Sequence, residues 1–290
     1  MPSGNDALHF DTVSFLSDYG LDDEFAGVVR SVVMGHAPGV VVIDVTHGIP
    51  AHDVRAGSLA LARSAPYLCP GVVLAVVDPG VGGERRGVAV EVGGGQSVLV
   101  GPDNGLLAPA VAMVGGADRA VSLTDVGYHL DSPGTTFDGR DVFAPVAAHL
   151  CNGVDLAELG EVLDPGLLVP GVVPVCVQES DGLHAEVLWI DTFGNVQLNV
   201  DPADLPGDRV QVRIGDRVRT AQLVTAFDQV PPGGLGLLVD SAGLVSLVVA
   251  RASAAGELGI SAGTAVVIAD LDGTETGAAI PVSLGRSRAG

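Results

Sequence analysis

Four short polar clusters follow directly on apolar, β-branched runs: Ser17-Asp18-Tyr19-Gly20, Asp44-Val45-Thr46-His47-Gly48, Asp78-Pro79-Gly80-Val81-Gly82-Gly83 and Gly101-Pro102-Asp103-Asn104-Gly105. Carboxylates so placed can accept from sugar hydroxyls, an ammonium group or water, and glycines let the backbone approach a ligand closely. Any one cluster alone reads as a turn, since Asp, Asn, Gly and Pro are what turns are made of. Four emerging at one edge of a sheet read as a site, because open α/β sheets bind ligands beyond the carboxyl ends of their strands. In the third cluster Asp78 ends an apolar run, with Arg85 and Arg86 close enough downstream to fold back on it. An Asp–Arg pair keeps the carboxylate ionised and can orient a water molecule.

Two further segments carry polar side chains in bulk. Thr135-Thr136-Phe137-Asp138-Gly139-Arg140-Asp141 runs into the apolar stretch Val142–Leu150. The spacing predicts a helix capped by Asp141, whose first N–H groups could face a negative charge. Farther on, Asp191-Thr192-Phe193-Gly194-Asn195 reads as a loop between strands, in which Asp191 could accept from an ammonium group and Asn195 could bond a purine or a carboxylate. Phosphate-loop and dinucleotide readings lack their carriers: no GxxxxGK[ST] is present, and no GxGxxG opens a helix after a strand. Cys69, Cys151 and Cys176 stand far apart, and the seven histidines form no HxH or HExxH pattern, so no metal site is expected.

The elements that must position these groups fall into two styles. Strands are predicted over Thr12–Leu16, Val40–Val45, Val72–Val77, Gly87–Val92 and Ser97–Val100. Helices are predicted over a stretch opened by Asp22 with Phe25, Val28, Val29, Val32 and Val33 on one face, over His52–Arg63 and over Gly105–Met113. Such alternation indicates an α/β domain around a mostly parallel, buried sheet. The turn-rich stretch 163–171 reads as a linker, and short strands follow at Ala185–Ile190, Val196–Val200, Val210–Ile214, Val218–Leu223, Gly236–Val239, Leu244–Val249 and Thr264–Ala269. They predict a smaller antiparallel β-barrel, giving an N-terminal domain over 1–170 and a C-terminal domain over 171–290.

Composition narrows the partners. The formal charge of −21 and the absence of lysine argue against nucleic acid, whose phosphates need clustered cations. Mean hydropathy is high, at +0.44, yet every uncharged stretch is too short for a spanning helix. The N-terminal residues show no basic segment leading into an apolar one, so no leader is read and a soluble, cytoplasmic protein is expected.

Taken in order, the motifs resemble the S-adenosylmethionine hydroxide adenosyltransferase family, which is related to the fluorinating and chlorinating 5′-halo-adenosine synthases. The resemblance rests on Asp44-Val45-Thr46-His47, Val77-Asp78-Pro79-Gly80-Val81-Gly82, Gly101-Pro102-Asp103-Asn104-Gly105-Leu106-Leu107, Gly139-Arg140-Asp141-Val142-Phe143-Ala144-Pro145 and Asp191-Thr192-Phe193-Gly194-Asn195. It implies a homotrimer whose active sites lie between one subunit's N-terminal domain and a neighbour's C-terminal domain. It also implies S-adenosylmethionine as substrate, with Asp18 on the ribose hydroxyls, Asp191 and Ser241 on the methionine ammonium and carboxylate, and Asn195 and Phe227 at the adenine. Tyr19, Pro79, Thr136, Phe137 and Gly139 complete the implied binding set.

The implied chemistry is displacement at the ribose C5′ by water or hydroxide, giving adenosine and methionine. The sulfonium is already an activated leaving group, so neither metal nor cofactor is required. Water activation is associated in this family with an Asp–Arg–His set; Asp78 and Arg85 match the first two, and Asp138 stands where the pattern has histidine. An Asp there could accept the proton of water or repel Asp78, and His129, nine residues upstream, is the nearest imidazole in the chain segment. A halide-dependent 5′-halo-adenosine synthase, disfavoured by the carboxylate of Asp78, and a catalytically weak adenosyl-ligand sensor are the alternatives.

Overall fold

The computed structural model describes residues 9–271; the N-terminal segment read above for a leader and the C-terminal tail lie outside the described residues. The chain divides into two compact units, Met1–Val173 and Pro174–Gly290.

In the first unit β1 (Thr12–Ser17), β2 (Val41–Thr46), β3 (Gly71–Val76), β4 (Gly87–Val92), β5 (Ser97–Pro102), β6 (Ala117–Ser122) and β7 (Glu161–Leu163) form one sheet in the order β2-β1-β3-β5-β4-β6-β7. The pairs β2–β1, β1–β3 and β3–β5 are parallel, and β5–β4, β4–β6 and β6–β7 are antiparallel. The sheet is therefore mixed: its parallel half holds the predicted polar edge, and its antiparallel half extends it. Every residue of β1 and β3 is buried, which explains the unbroken apolar run of β3, whereas β2 is an edge strand with Val41 and Ile43 exposed.

Helices α1 (Phe25–His36) and α4 (Ala144–Cys151) cover one face, packing with Val13, Phe15, Val72 and Leu74. On the other face α2 (Val54–Ser64) and α3 (Ala108–Met113) pack with Leu16, Val73, Ala75 and Val90. Two expected caps are corrected. The residue before α1 is Glu24, which makes no side-chain capping bond, so Asp22 does not open that helix; its buried face is Ala26, Val29 and Val33. Asp141 lies inside a wide π-type turn, Gly139–Phe143, that precedes α4, and its carboxylate is held by Arg140 at 2.6 and 2.9 Å. Asp53, by contrast, caps α2 through Ala56 N at 2.8 Å.

The second unit begins with β8 (Val177–Glu179). A ring of seven strands then closes: β9 (Gly182–Ile190), β10 (Val196–Leu198), β11 (Arg209–Ile214), β12 (Arg217–Val224), β13 (Leu235–Val239), β14 (Val245–Val248) and β15 (Ala265–Asp270). Pairing of β10 with both β9 and β14 completes the barrel. Alternate residues such as Leu183, Ala185, Val187 and Val210, Val212 fill its interior. One pair, β12–β13, is parallel, an exception to the antiparallel expectation. A short helix α5 (Ala254–Leu258), capped by Ser253, lies between β14 and β15. Among the described residues no helix is long and apolar enough to cross a membrane.

Candidate functional site

The carboxyl ends of β1 and β3 put Asp18 and Asp78 at one edge of the sheet. Arg85, seven residues beyond Asp78, turns back so that its Nε lies 2.9 Å from both Asp78 oxygens. Its Nη2 bonds Asp78 and also Asp138, so one guanidinium bridges the two carboxylates. All three side chains are largely buried, and the Arg85 Cζ lies 5.3 Å from the centroid of the Phe143 ring. Two acids that would repel each other are thus held together by a planar cation whose fork suits both.

Tyr19 joins this group. Burial first, and then the charges of Asp18, Asp78 and Asp138, hold its phenol well above its ordinary pKa, so it stays a neutral hydrogen-bond donor. Its ring packs against Phe137 and Phe25, each with centroids 5.7 Å away. Gly139 is buried against the Tyr19 hydroxyl, so close that a Cβ there would overlap the phenol oxygen. Pro79 and Thr136 are exposed at the turns that carry Asp78 and Asp138.

The turn bearing Asp18 and Tyr19 is braced from below. Ser17 Oγ, fully buried, accepts from Tyr19 N at 3.2 Å and lies 2.7 Å from His47 Nδ1, while His47 O accepts from Gly20 N at 2.8 Å. His47 Nε2 stands 3.1 Å from Asp44 Oδ1 without the alignment of a hydrogen bond, and Asp44 is paired with Arg30 at 2.6 Å. Asp18 Oδ2 accepts from His52 N at 2.9 Å.

Two of the four predicted clusters therefore support the site. Asn104 laces the end of β3 by donating to Val77 O at 2.9 Å. Arg86 does not join Asp78 as expected. It pairs with buried Asp103, whose other oxygen accepts from Val169 N at 2.8 Å and so ties the 165–169 segment to the sheet.

In the barrel unit, Asp191 is consumed by its own loop. Its Oδ1 accepts from Phe193 N and Asn195 N at 2.9 and 2.8 Å, and its Oδ2 from Asn195 Nδ2 at 2.7 Å. Gly194, at φ +84°, lets this loop press on Ser253 where no side chain would fit. Asn195 and Phe227 line one cavity of about 590 Å³ with Phe193, Val249, Arg251, Ala252 and Ser253. Arg251 was not foreseen; it carries no motif, and its backbone has a positive φ of 57° in the turn after β14. Ser241 is exposed in the tight turn after β13, where Asp240 accepts from Ala242 N, Gln197 Nε2 and Ser246 Oγ at 2.7–2.9 Å.

One group among the described residues has the composition and closeness of metal ligands: Glu179, Asp181 and His184 on the β8–β9 hairpin. Asp181 is already bonded to His184 at 2.7 Å and to Arg213 at 2.5 Å, which makes it a surface ion-pair network.

Residues 13–160 match the SAM hydroxide adenosyltransferase N-terminal domain, and residues 185–267 match the C-terminal domain of the same family. The chain belongs to this family. It is 47% identical over 251 residues to a protein named (R)-S-adenosyl-L-methionine hydrolase from Salinispora arenicola, covering 87% of this chain and 95% of that relative. A Thermus thermophilus protein of the same name is 39% identical over 266 residues, covering 88% and 98%. A fluorinase from an Actinoplanes species is more distant, at 26% identity over 288 residues, covering 88% and 96%. Among solved structures, that of an uncharacterised conserved protein from Thermotoga maritima superposes with a TM-score of 0.81 at 32% identity, covering 89% of this chain and 99% of that one. The family's two-domain plan and the fold derived above from the strands agree.

Proposed function

We propose that this protein hydrolyses S-adenosylmethionine to adenosine and L-methionine by attack of water at the ribose C5′, and that, like the relatives so named, it acts on the epimer with R configuration at the sulfonium. The observation that carries this reading is the Asp78–Arg85–Asp138 bridge. A fixed carboxylate beside a guanidinium can hold a water molecule by its protons and turn a lone pair toward carbon, and holding it in line with the C–S bond supplies the rate. Two carboxylates against one cation also make the site net negative, which suits a sulfonium substrate and opposes entry of a halide ion.

In this reading Asp18 and Tyr19 grip the ribose, with Phe137, Gly139, Pro79 and Thr136 shaping the nucleophile's side. Asn195 and Phe227 hold adenine, and Asp191 and Ser241 the amino-acid end. Because donors of its own loop take three of the roughly four lone-pair sites of the Asp191 carboxylate, its role in the ammonium site is to offer the remaining lone pair and a fixed charge. Homotrimers with each site shared between one subunit's first domain and a neighbour's barrel, a cytoplasmic location, and catalysis without a metal complete the proposal.

The test is incubation with S-adenosylmethionine of each sulfonium configuration in ¹⁸O-labelled water containing chloride, with mass spectrometry of the nucleosides. Labelled adenosine is expected, and faster from the R epimer. Unlabelled product or 5′-chloroadenosine would overturn the nucleophile. Bound substrate without product would favour a sensor.

A further inference from the structure

Glycine is the default wherever the backbone turns left-handed, because a β-carbon is disfavoured there. Two non-glycine residues among the described residues nevertheless have positive φ, His52 at 67° and Arg251 at 57°. Backbone strain of this kind persists where function needs the geometry. Arg251 lines the cavity with Asn195 and Phe227, and His52 lies against Asp18.

His52 is exposed, so packing of its imidazole does not impose the conformation. The surrounding backbone does. Asp53 N donates to Pro50 O at 3.0 Å, closing a four-residue turn with His52 third, the position that takes a positive φ in a type II turn. Val54 N donates to His52 O at 3.0 Å, and Asp53 caps α2 through Ala56 N at 2.8 Å. The turn therefore cannot relax without loosening the start of the helix.

In this conformation the His52 N–H donates to Asp18 Oδ2 at 2.9 Å. The main chain around Asp18 is fixed separately: Asp18 N donates to Val76 O at 3.3 Å, and Gly20 N to His47 O at 2.8 Å. What remains is rotation of the carboxylate, and among the described residues the His52 N–H is the donor that holds it. Oδ1 accepts from none of them and keeps its lone pairs for a ligand.

We propose that His52 is a positioning residue for Asp18: its left-handed backbone, and not its imidazole, aims an N–H at Oδ2 and so presents Oδ1 to the ribose hydroxyls. This rests on the reading of Asp18 as the ribose ligand. A carboxylate oriented beforehand loses little rotational freedom when a diol docks, and the strain at His52 is what that preorganisation costs.

The experiment uses the full-length protein with His52→Gly, His52→Asn and His52→Val. Glycine and asparagine tolerate a positive φ, whereas a β-branched residue resists it. Calorimetry gives the dissociation constants of adenosine, 2′-deoxyadenosine and 3′-deoxyadenosine, none of which carries the sulfonium leaving group. In the wild type, loss of a hydroxyl held by Asp18 should weaken binding about 10–10²-fold, the usual range for a hydrogen bond to a charged group. His52→Gly and His52→Asn should keep that discrimination. In His52→Val, adenosine should bind about 10-fold more weakly and the deoxy ligands nearly as before, so the discrimination collapses. With S-adenosylmethionine the same variant should raise KM about 10-fold and leave kcat within about twofold.

Thermal unfolding shows which variants are folded at the assay temperature; if His52→Val is not, His52→Ala makes the same backbone change more gently. Full discrimination in that variant, or equal weakening of all three nucleosides, would overturn the positioning role. A loss in His52→Gly as large as in His52→Val would assign the effect to the imidazole and overturn it too. A wild type that binds the three nucleosides alike, or none of them, would instead overturn the ribose role of Asp18 beneath it.

Discussion

The backbone of Gly139 lies against the phenol of Tyr19, leaving no room for a β-carbon between them. Two segments that are distant in sequence, the turn after β1 and the turn before α4, are thereby locked at the spacing that brings Asp138 to Arg85. Gly139→Ala is expected to lower stability by about 1–3 kcal/mol, the usual range for overpacking. It should also cut adenosine formation by more than the folded fraction explains. Thermal unfolding and turnover measured on the same preparation separate the two. Gly35, in α1 with open space around it, is the contrast: Gly35→Ala should stabilise by about 0.5–1 kcal/mol and leave turnover unchanged.

Asp78→Asn removes the charge that Arg85 holds and leaves the shape. We expect kcat to fall by about 10²–10³-fold, with the dissociation constant for S-adenosylmethionine changing far less, since in the proposed reaction the carboxylate acts on the nucleophile. Arg85→Lys should lose comparably, because a single ammonium cannot reproduce the fork that serves both Asp78 and Asp138. Stopped-time assays paired with calorimetric binding decide the split; equal losses in both would remove Asp78 from the chemistry.

Tyr19 gives a pH signature. An unfolded phenol ionises near about pH 10, whereas burial and three carboxylates hold Tyr19 protonated well above that. Above about pH 10 the unfolded chain has lost a proton that the folded one keeps, so stability must fall with rising pH there. The midpoint of thermal unfolding, followed from neutral to strongly alkaline pH, should decline less steeply in Tyr19→Phe than in the wild type.

The cysteines should separate by environment. Cys69 is exposed, while Cys151 is fully buried and its thiol is pushed up to about 12 by burial. In the native state a water-soluble thiol reagent at mildly alkaline pH is expected to modify Cys69 and spare Cys151 until denaturant is added, as read by peptide mass. Rapid native modification of Cys151 would contradict the packing of α4.

What the sequence made legible follows from how directly each feature depends on local pattern. β1, β3 and the seven barrel strands announced themselves because their residues are buried in runs or alternation. β6 was missed because Asp118 and Arg119 stand on its exposed part and break the apolar signal. The face of α1 came out rotated: Ala26 faces the core and Phe25 faces outward, toward Phe137, a choice made by tertiary contacts and not by hydrophobicity. At the site, Asp78 and Arg85 were readable because they are near neighbours in sequence. Asp138 was reached through resemblance, since its approach to Arg85 spans 53 positions. Arg251 gave no signal, because its place depends on a backbone conformation that residue type alone does not announce.

The parallel pairing of β12 with β13 has a consequence for how this chain can vary. Neighbouring antiparallel strands need only a tight hairpin, but here Ala221 pairs with Leu235, so residues 225–234 must carry the chain back past the strand it has just left. Phe227 rides on that return path and reaches the cavity shared with Asn195 because of it. Trimming the connection to hairpin length would therefore open the ring and withdraw an aromatic wall in one step. Lengthening it at the exposed Pro232–Gly233 would do neither. In this chain the connection therefore has room for additions and none for deletions.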